Sequence, residues 1–220
     1  MSEAPIDVVI VDDDPLVRSA LTLMLGGQPD LRVVGEAGDG LSGVELVRRV
    51  RPDVVLMDIR MPRLDGVAAT RELQRDPSPA RVIVLTTFDA DDHVLDALAA
   101  GADGFLLKDT PPADIVSALR AVAAGDPMLS PSATRAVIGR VRAGGLGDRA
   151  AAALALLGRL TDRERDVALC IGRGLSNADI GAELYLSVPT VKAHVSRLFE
   201  KLEVTNRVQI ALCVHDAGLS

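Results

Sequence analysis

Residues 6–14, IDVVIVDDD, join a short apolar run that is rich in β-branched side chains directly to three aspartates. Runs of this kind have the length and composition of buried strands. Four more follow, at Leu31–Val34, Val54–Met57, Val82–Leu85 and Phe105–Leu107. Amphipathic stretches of helical length alternate with them: Pro15–Leu25, Leu41–Val50, Val67–Leu73, Asp92–Ala100 and Pro112–Ala124. The first part of the chain is therefore predicted to alternate strands and helices.

Five strands separated by helices predict an α/β fold with a five-stranded parallel sheet covered on both faces, the doubly wound class. Right-handed crossovers leave few topologies for such a chain, and the flavodoxin-like strand order 2-1-3-4-5 is the one expected. Ligands of these sheets bind beyond the carboxyl ends of the strands, where strands 1 and 3 lie side by side.

Polar residues follow four of the five predicted strands. They are Asp12 and Asp13 after the first strand, Asp58 after the third, Thr86 and Thr87 after the fourth, and Lys108 after the fifth. Clustered carboxylates raise one another's pKa unless a cation lies among them, and oxygen ligands favour Mg²⁺ over a transition metal. With an ammonium and a hydroxyl alongside, the fitting chemistry is phosphoryl transfer to an aspartate. The alternative is that these are solvated loop residues.

The composition is that of a soluble globular protein. Of the 220 residues, 48% are hydrophobic and only 2% aromatic, which argues against a protein that stacks single-stranded bases. No apolar run approaches the ~20 residues of a membrane span, and MSEAPID lacks the basic start of a secretory signal. Cys170 and Cys213 have no metal-ligand spacing and are interpreted as core residues. We expect a cytoplasmic protein with no membrane contact and no structural zinc.

Charge divides the chain into parts with different expected partners. Residues 1–124 carry 12 Lys/Arg and 21 Asp/Glu, a net charge of −9, whereas residues 158–220 carry eight of each. We therefore predict a first domain at 1–124, a linker with short helices at 125–157 and a second domain at 158–220. Ser130–Pro131 predicts a linker helix to about Val141, before a glycine-rich stretch. That linker is either a passive tether or a helix that docks on a domain.

The last domain is predicted to be helical. Thr161–Glu164 has the capping-box pattern, and further helices are predicted at Asn177–Leu184 and Val188–Leu202, capped by Ser176 and Ser187. A three-residue turn joins these two helices, which is the helix-turn-helix geometry of DNA-binding proteins. In the second of them, Val191, Val195, Leu198 and Leu202 share one apolar stripe, and small and basic residues occupy the rest. A solvated surface helix has a similar pattern.

The first domain strongly resembles the receiver domains of bacterial two-component response regulators. The resemblance lies in the aspartate pair at 12–13, PDVVLMDIRMPRLDG (52–66), VIVLTTF (82–88) and GADGFLLKD (101–109). It implies that a sensor histidine kinase phosphorylates Asp58 and that Asp12, Asp13, Asp58 and the backbone carbonyl of Arg60 hold Mg²⁺. It also implies a switch formed by Thr86 and Phe105, a phosphate-sensing Lys108, and a role in access for Thr87.

The last domain closely resembles the LuxR/NarL-type DNA-binding domain, through GLSNADIGAEL (174–184) and SVPTVKAHVSRLFEKL (187–202). The resemblance implies that the active protein binds double-stranded promoter DNA as a homodimer. Lys192, Ala193 and Ser196 would approach the groove, and Thr190, Arg197, Lys201 and Asn177 would contact phosphate. The fourth helix, about Arg207–Ala217, would carry the dimer contact, although its Val208, Ala211, Leu212 and His215 suit a core equally well.

Two other functions remain open from the sequence. Asp12-x-Asp14 after an apolar strand also resembles the first motif of aspartate-nucleophile phosphatases of the haloacid dehalogenase type, which would make Asp12 a catalytic nucleophile. That interpretation leaves Asp58 and residues 155–220 without a role. A DNA-binding regulator whose receiver is not phosphorylated is the second alternative. We expect a regulator with no catalytic residues of an enzyme.

Overall fold

The computed structural model describes residues 4–77, 79–87, 91–129, 134 and 146–219. Its contacts divide the chain into two units, Met1–Thr134 and Arg135–Ser220. The domain boundaries predicted at residues 124 and 157 stay predictions. Most of the predicted linker helix, at residues 130–141, lies outside the described residues.

The first unit is a parallel α/β sheet. Its strands are β1 (Ile6–Val11), β2 (Leu31–Ala37), β3 (Val54–Met57), β4 (Arg81–Thr86), β5 (Gly104–Leu107) and β6 (Met128–Leu129). Its helices are α1 (Pro15–Gly26), α2 (Gly40–Val50), α3 (Gly66–Leu73), α4 (Asp91–Ala100) and α5 (Pro112–Ala124). The strand order is β2-β1-β3-β4-β5-β6, with parallel pairing throughout. The predicted class and order of the first five strands are confirmed, and the sequence missed the short edge strand β6.

Helices cover both faces of this sheet. Val8, Ile10 and Leu56 pack in a cluster with residues of α1 and α5. The alternate residues of the strands point to the opposite face. Val11 is one of these residues and is fully buried. A Cβ added to Gly43 of α2 would lie 2.7 Å from the Val11 side chain, which shows that α2 covers this face. The doubly wound arrangement leaves the carboxyl ends of the strands as the open edge.

The second unit is helical in its described part, with α6 (Leu146–Leu157), α7 (Asp162–Gly172), α8 (Asn177–Leu184), α9 (Val188–Leu202) and α10 (Arg207–Asp216). Thr161 and Glu164 form the predicted capping box of α7, and Ser176 and Ser187 cap α8 and α9 as predicted. Helix α6, which the sequence assigned to the linker, packs on α9 and α10 of this unit. None of the described helices is long and apolar enough to cross a membrane.

Candidate functional site

Three carboxylates meet at the open edge of the sheet. Val11 and Met57 are register partners in neighbouring strands, so Asp12 and Asp58 follow them side by side, and the Asp58 amide donates to the Val11 carbonyl at 2.8 Å. Asp12 and Asp58 are buried, whereas Asp13 is exposed. Each of the three aspartates offers a carboxylate oxygen, and these oxygens lie within 4.8 Å of one another. The structure thus brings together the three aspartates that the sequence selected.

Lys108 supplies the positive charge of the cluster. Its Nζ lies 2.6 Å from Asp12 Oδ2 and 3.3 Å from Asp58 Oδ2, and its side chain is only 15% exposed. The backbone fixes its position, because the Lys108 amide donates to the Thr86 carbonyl at 2.8 Å. Burial alone would lower the pKa of Lys108, but the hydrogen bond to Asp12 and the charge of Asp58 raise it above its ordinary value. The side chain is therefore a cation at neutral pH.

Asp58 is the carboxylate with the perturbed titration. Burial raises the pKa of Asp58 above its ordinary value, and the nearby charge of Asp12 adds to this, while Lys108 opposes it. Ionisation of the buried Asp58 carboxyl therefore costs free energy, and the positive charge of Lys108 offsets only part of that cost. A further cation beside the carboxylates would relieve the repulsion, and oxygen-only ligands fit Mg²⁺. Arg60 lies two residues beyond Asp58 in the β3–α3 loop, and the role of its carbonyl stays a prediction.

The predicted switch residues lie on the neighbouring strands. Thr86 ends β4 and is 2% exposed, and Thr87 follows it on the surface. Phe105 is fully buried in β5, where its register partner is Val84. Because Val84 and Thr86 are two residues apart on one strand, Thr86 and Phe105 face the same side of the sheet.

Two residues that shape this site were missed by the sequence analysis. Arg18 of α1 donates to the backbone carbonyl of Asp12 at 2.7 Å and lies 3.6 Å from Glu36. Gly66, the first residue of α3, packs so closely that a Cβ there would lie 1.9 Å from the Asp58 carbonyl oxygen. No sequence pattern predicts the contact of Arg18 with Asp12. The close packing of Gly66 has a weak signal, because a glycine stands eight residues after the predicted phosphoacceptor Asp58.

Asp14 has a structural role. Its side chain accepts a hydrogen bond from the Leu16 amide at 2.8 Å and caps α1, with Pro15 as the first helical residue. Asp65 caps α3 in the same way through the Ala68 amide at 2.7 Å. The aspartate that suggested a phosphatase motif is thus a helix cap, a role for which aspartate before proline is itself a sequence signal.

In the second unit, α8 and α9 form the predicted helix-turn-helix. Val191, Val195, Leu198 and Leu202 are buried, as the apolar stripe predicted. The predicted DNA-facing residues that the structure leaves exposed are Thr190, Lys192, Ala193, Ser196 and Arg197. They form one outer surface of α9 that is available to a partner.

Two predicted DNA contacts have partners inside the protein. The Asn177 side chain is 3% exposed, and its Oδ1 accepts a hydrogen bond from Arg207 at 2.8 Å. Lys201 Nζ lies 2.7 Å from Oε2 of the buried Glu164. The side-chain carbonyl oxygen of Asn177 is thus used within the fold, and the predicted phosphate contact of this residue stays a prediction.

The last helix presents two faces. Ile210 and Val214 belong to the core, against which Ala211 packs. Val208, Leu212 and His215 follow the i, i+4, i+7 spacing of one stripe, along which Val208 is buried, Leu212 is half-buried and His215 is exposed. The sequence left core and dimer roles open for these residues, and the structure buries Val208 and packs Ala211 against the core.

An acidic pocket at the strand ends of a flavodoxin-like sheet, followed by a helix-turn-helix unit, defines a receiver joined to a DNA-binding module. Residues 8–120 match the family model of the response regulator receiver domain, and residues 158–214 match that of the bacterial regulatory proteins of the luxR family. The chain belongs to the two-component response regulators of the NarL/LuxR type, which are DNA-binding regulators of transcription.

Similar proteins span the full length. The transcriptional regulatory protein LiaR of Bacillus subtilis is 39% identical over 210 residues, 96% of this chain and 97% of LiaR. The nitrate/nitrite response regulator protein NarL of Escherichia coli is 34% identical over 214 residues, 97% of each chain. The structure of the response regulator ChrA of a heme-sensing two-component system covers 99% of this chain and all of its own, with 33% identity and a TM-score of 0.53.

Proposed function

We propose that this response regulator is switched by phosphorylation of Asp58. The observation that carries the proposal is the buried Asp58 carboxylate, which lies beside both Asp12 and the Lys108 ammonium. A histidine kinase of a two-component system is the donor that the receiver family implies. The bond between phosphorus and the donor nitrogen breaks as a bond from phosphorus to an Asp58 oxygen forms.

The residues around Asp58 divide the work of this transfer. Asp12, Asp13 and Asp58, with the Arg60 carbonyl, would hold Mg²⁺, which neutralises charge on the phosphoryl oxygens when bound. Lys108, whose Nζ lies beside Asp58, stabilises the same charge, and Thr86 donates a hydrogen bond to a phosphoryl oxygen. The buried Phe105 on the same face follows the movement of Thr86, and Thr87 controls access from the surface.

In the second unit, α9 enters the major groove of promoter DNA. Lys192, Ala193 and Ser196 lie at the base edges, and Thr190 and Arg197 contact phosphates. Lys201 contributes to phosphate binding only to the extent that its ion pair with Glu164 allows. Helix α10 carries the surface through which two phosphorylated chains pair, with the half-buried Leu212 and the exposed His215 on its accessible side. The pairing places two α9 helices on two half-sites. The cytoplasm is the compartment that this role requires.

The phosphatase alternative has less support. It needs Asp14 as a second functional carboxylate, and Asp14 is occupied in capping α1. In the proposal the chain takes up one phosphoryl group and turns over no external substrate. A receiver that is never phosphorylated would leave Asp12, Asp58 and Lys108 without a reason to share one pocket.

The test is the intact mass of the full-length protein after incubation with acetyl phosphate and Mg²⁺. We expect one added phosphoryl group on the wild type and none on Asp58→Asn. The matched control is Asp109→Asn, an exposed aspartate next to Lys108, which should be phosphorylated normally. DNA affinity should then rise on phosphorylation in the wild type and the control alone. An unmodified wild type, or an adduct that survives in Asp58→Asn, would overturn the proposal.

A further inference from the structure

The first turn of α9 exposes apolar side chains. Val188, its first residue, is 39% exposed although it is a large aliphatic residue. Pro189 and Ala193, further along the helix, are exposed as well. Pro189 and Ala193 lie one turn apart on the same face, and Val188 directly precedes Pro189. These three residues, called the apolar patch below, do not belong to the core cluster of this unit. Exposed apolar atoms beside a binding surface indicate a contact that forms only with the partner.

The polar side chains next to this patch are largely occupied within the helix itself. Thr190 Oγ1 lies 2.7 Å from Ser187 Oγ, within the helix cap. Ser196 Oγ donates to the Lys192 carbonyl at 3.1 Å, which uses its one hydroxyl hydrogen. Lys192 and Arg197 are the exposed cations of this surface, and Arg197 is the one assigned to phosphate. The surface therefore has few groups with which to read bases through hydrogen bonds.

We infer that the apolar patch reads the 5-methyl groups of thymines in the major groove, an assignment that rests on the proposed DNA binding. The thymine methyl group is the apolar feature that distinguishes one base pair from another in that groove, and aliphatic side chains recognise it. The first turn of a recognition helix is the part that reaches base edges. The half-site is accordingly rich in thymine, next to a guanine whose acceptors suit Lys192.

The alternative role for the patch is packing within the unit. The inward stripe of α9 already fills the core with Val191, Val195 and Leu198, which are buried. Val188 and Pro189 stand in the first turn, beside the cap, where proline is tolerated because its missing amide hydrogen has no partner to lose. Replacing them with serine therefore leaves the fold in place.

The experiment uses the full-length protein, phosphorylated with acetyl phosphate and Mg²⁺. Duplexes that bind the wild type are selected from a random pool, and each thymine of the selected half-site is then replaced by deoxyuridine, which lacks only the methyl group. We expect at least one replacement to weaken wild-type binding about fourfold, as the loss of one buried methyl group predicts. The same replacement should change the affinity of Val188→Ser/Pro189→Ser less than twofold.

Leu219→Ser is the matched control, since Leu219 is an exposed apolar residue of the same unit outside α9. It should respond to deoxyuridine as the wild type does. The assignment is overturned if every deoxyuridine replacement weakens DNA binding by Val188→Ser/Pro189→Ser as much as it weakens binding by the wild type. If the phosphorylated wild type enriches no duplex at all, the proposed DNA binding fails and takes this assignment with it.

Discussion

Lys201 and Glu164 form an ion pair that joins two helices of the DNA-binding unit, with Nζ 2.7 Å from Oε2. Glu164 is buried and also accepts hydrogen bonds from the amide and hydroxyl of Thr161, both at 2.9 Å. One carboxylate thus caps the start of α7 and holds the last turn of α9 against it. Because α9 carries the proposed reading surface, this pair fixes its position on the scaffold.

Glu164→Gln should destabilise the second unit in a way that depends on pH. The hydrogen bond from Lys201, followed by that from the Thr161 amide, lowers the pKa of Glu164 to about 2. Its contribution is complete above the ordinary glutamate pKa of 4.5 and is lost as the pH falls toward about 2. We expect a loss of about 1–3 kcal/mol at pH 7, reduced because Lys201 is partly exposed. Urea unfolding at several pH values measures it.

The control for this variant is Glu203→Gln, which removes an exposed pair with Arg159 at 3.3 Å. An exposed ion pair contributes little, so a change within about 0.5 kcal/mol is expected at every pH. The role assigned to Glu164 would be contradicted if the difference in unfolding free energy between the wild type and Glu164→Gln stayed constant from pH 7 down to pH 3.

The strand ends were predictable because the pattern that forms them is local. Asp12 and Asp58 each follow a β-branched run, which predicts a parallel sheet with both carboxylates at the carboxyl ends of its strands. The register of β1 and β3 confirms that the two aspartates lie side by side. The caps at Thr161, Ser176 and Ser187 were equally predictable, since donor and acceptor are three residues apart.

The missed features depend on contacts between distant residues. Strand β6 has two residues, too few for any periodicity, and exists through its pairing with β5. The hydrogen bond from Arg207 to Asn177 joins residues 30 positions apart and was not predicted. No sequence pattern links such pairs, because the fold alone brings them together.

Mg²⁺ should stabilise the receiver through Asp13 and leave Asp14 uninvolved. A ligand that binds only the folded state adds about 1.4 kcal/mol at ten times its dissociation constant. We expect a higher thermal midpoint with Mg²⁺ for the wild type and for Asp14→Asn, since asparagine also caps helices. Asp13→Asn should lose most of the shift, and chelation with EDTA should reverse it wherever it occurs.

The same measurement has a pH dependence, because burial raises the pKa of Asp58. Protonation of Asp58 removes a ligand, so the shift produced by Mg²⁺ should shrink as the pH falls through that raised pKa. An equal shift in Asp13→Asn and the wild type would contradict the assignment of the cation to this carboxylate cluster.

Gly66→Ala should disrupt the acceptor site, although Gly66 bears no functional group. A Cβ there would lie 1.9 Å from the Asp58 carbonyl oxygen and 3.0 Å from the Ile59 Cα, so the backbone must move. We expect a loss of about 2–4 kcal/mol of stability and a slower phosphorylation of Asp58. Gly26→Ala is the control, because nothing lies within 4 Å of a Cβ at that position. Equal stability of Gly66→Ala and Gly26→Ala would contradict this prediction, because it would mean that the backbone around Gly66 accommodates a Cβ without a cost in free energy.

Tyr185→Gly should stabilise the helix-turn-helix. Tyr185 ends α8 with φ 56° and ψ 45°, a left-handed conformation that costs a residue with a Cβ about 1–2 kcal/mol. Its side chain is 95% exposed, so no packing is lost on removal. Glycine relieves the strain at the cost of greater freedom in the unfolded chain, which leaves a gain of about 0.5–1 kcal/mol and a thermal midpoint a few degrees higher. Tyr185→Ala keeps the Cβ and should show no gain in stability. Circular dichroism melts of the two variants therefore separate relief of backbone strain from loss of the aromatic ring. An equal rise of the thermal midpoint in both variants would contradict the strain at Tyr185.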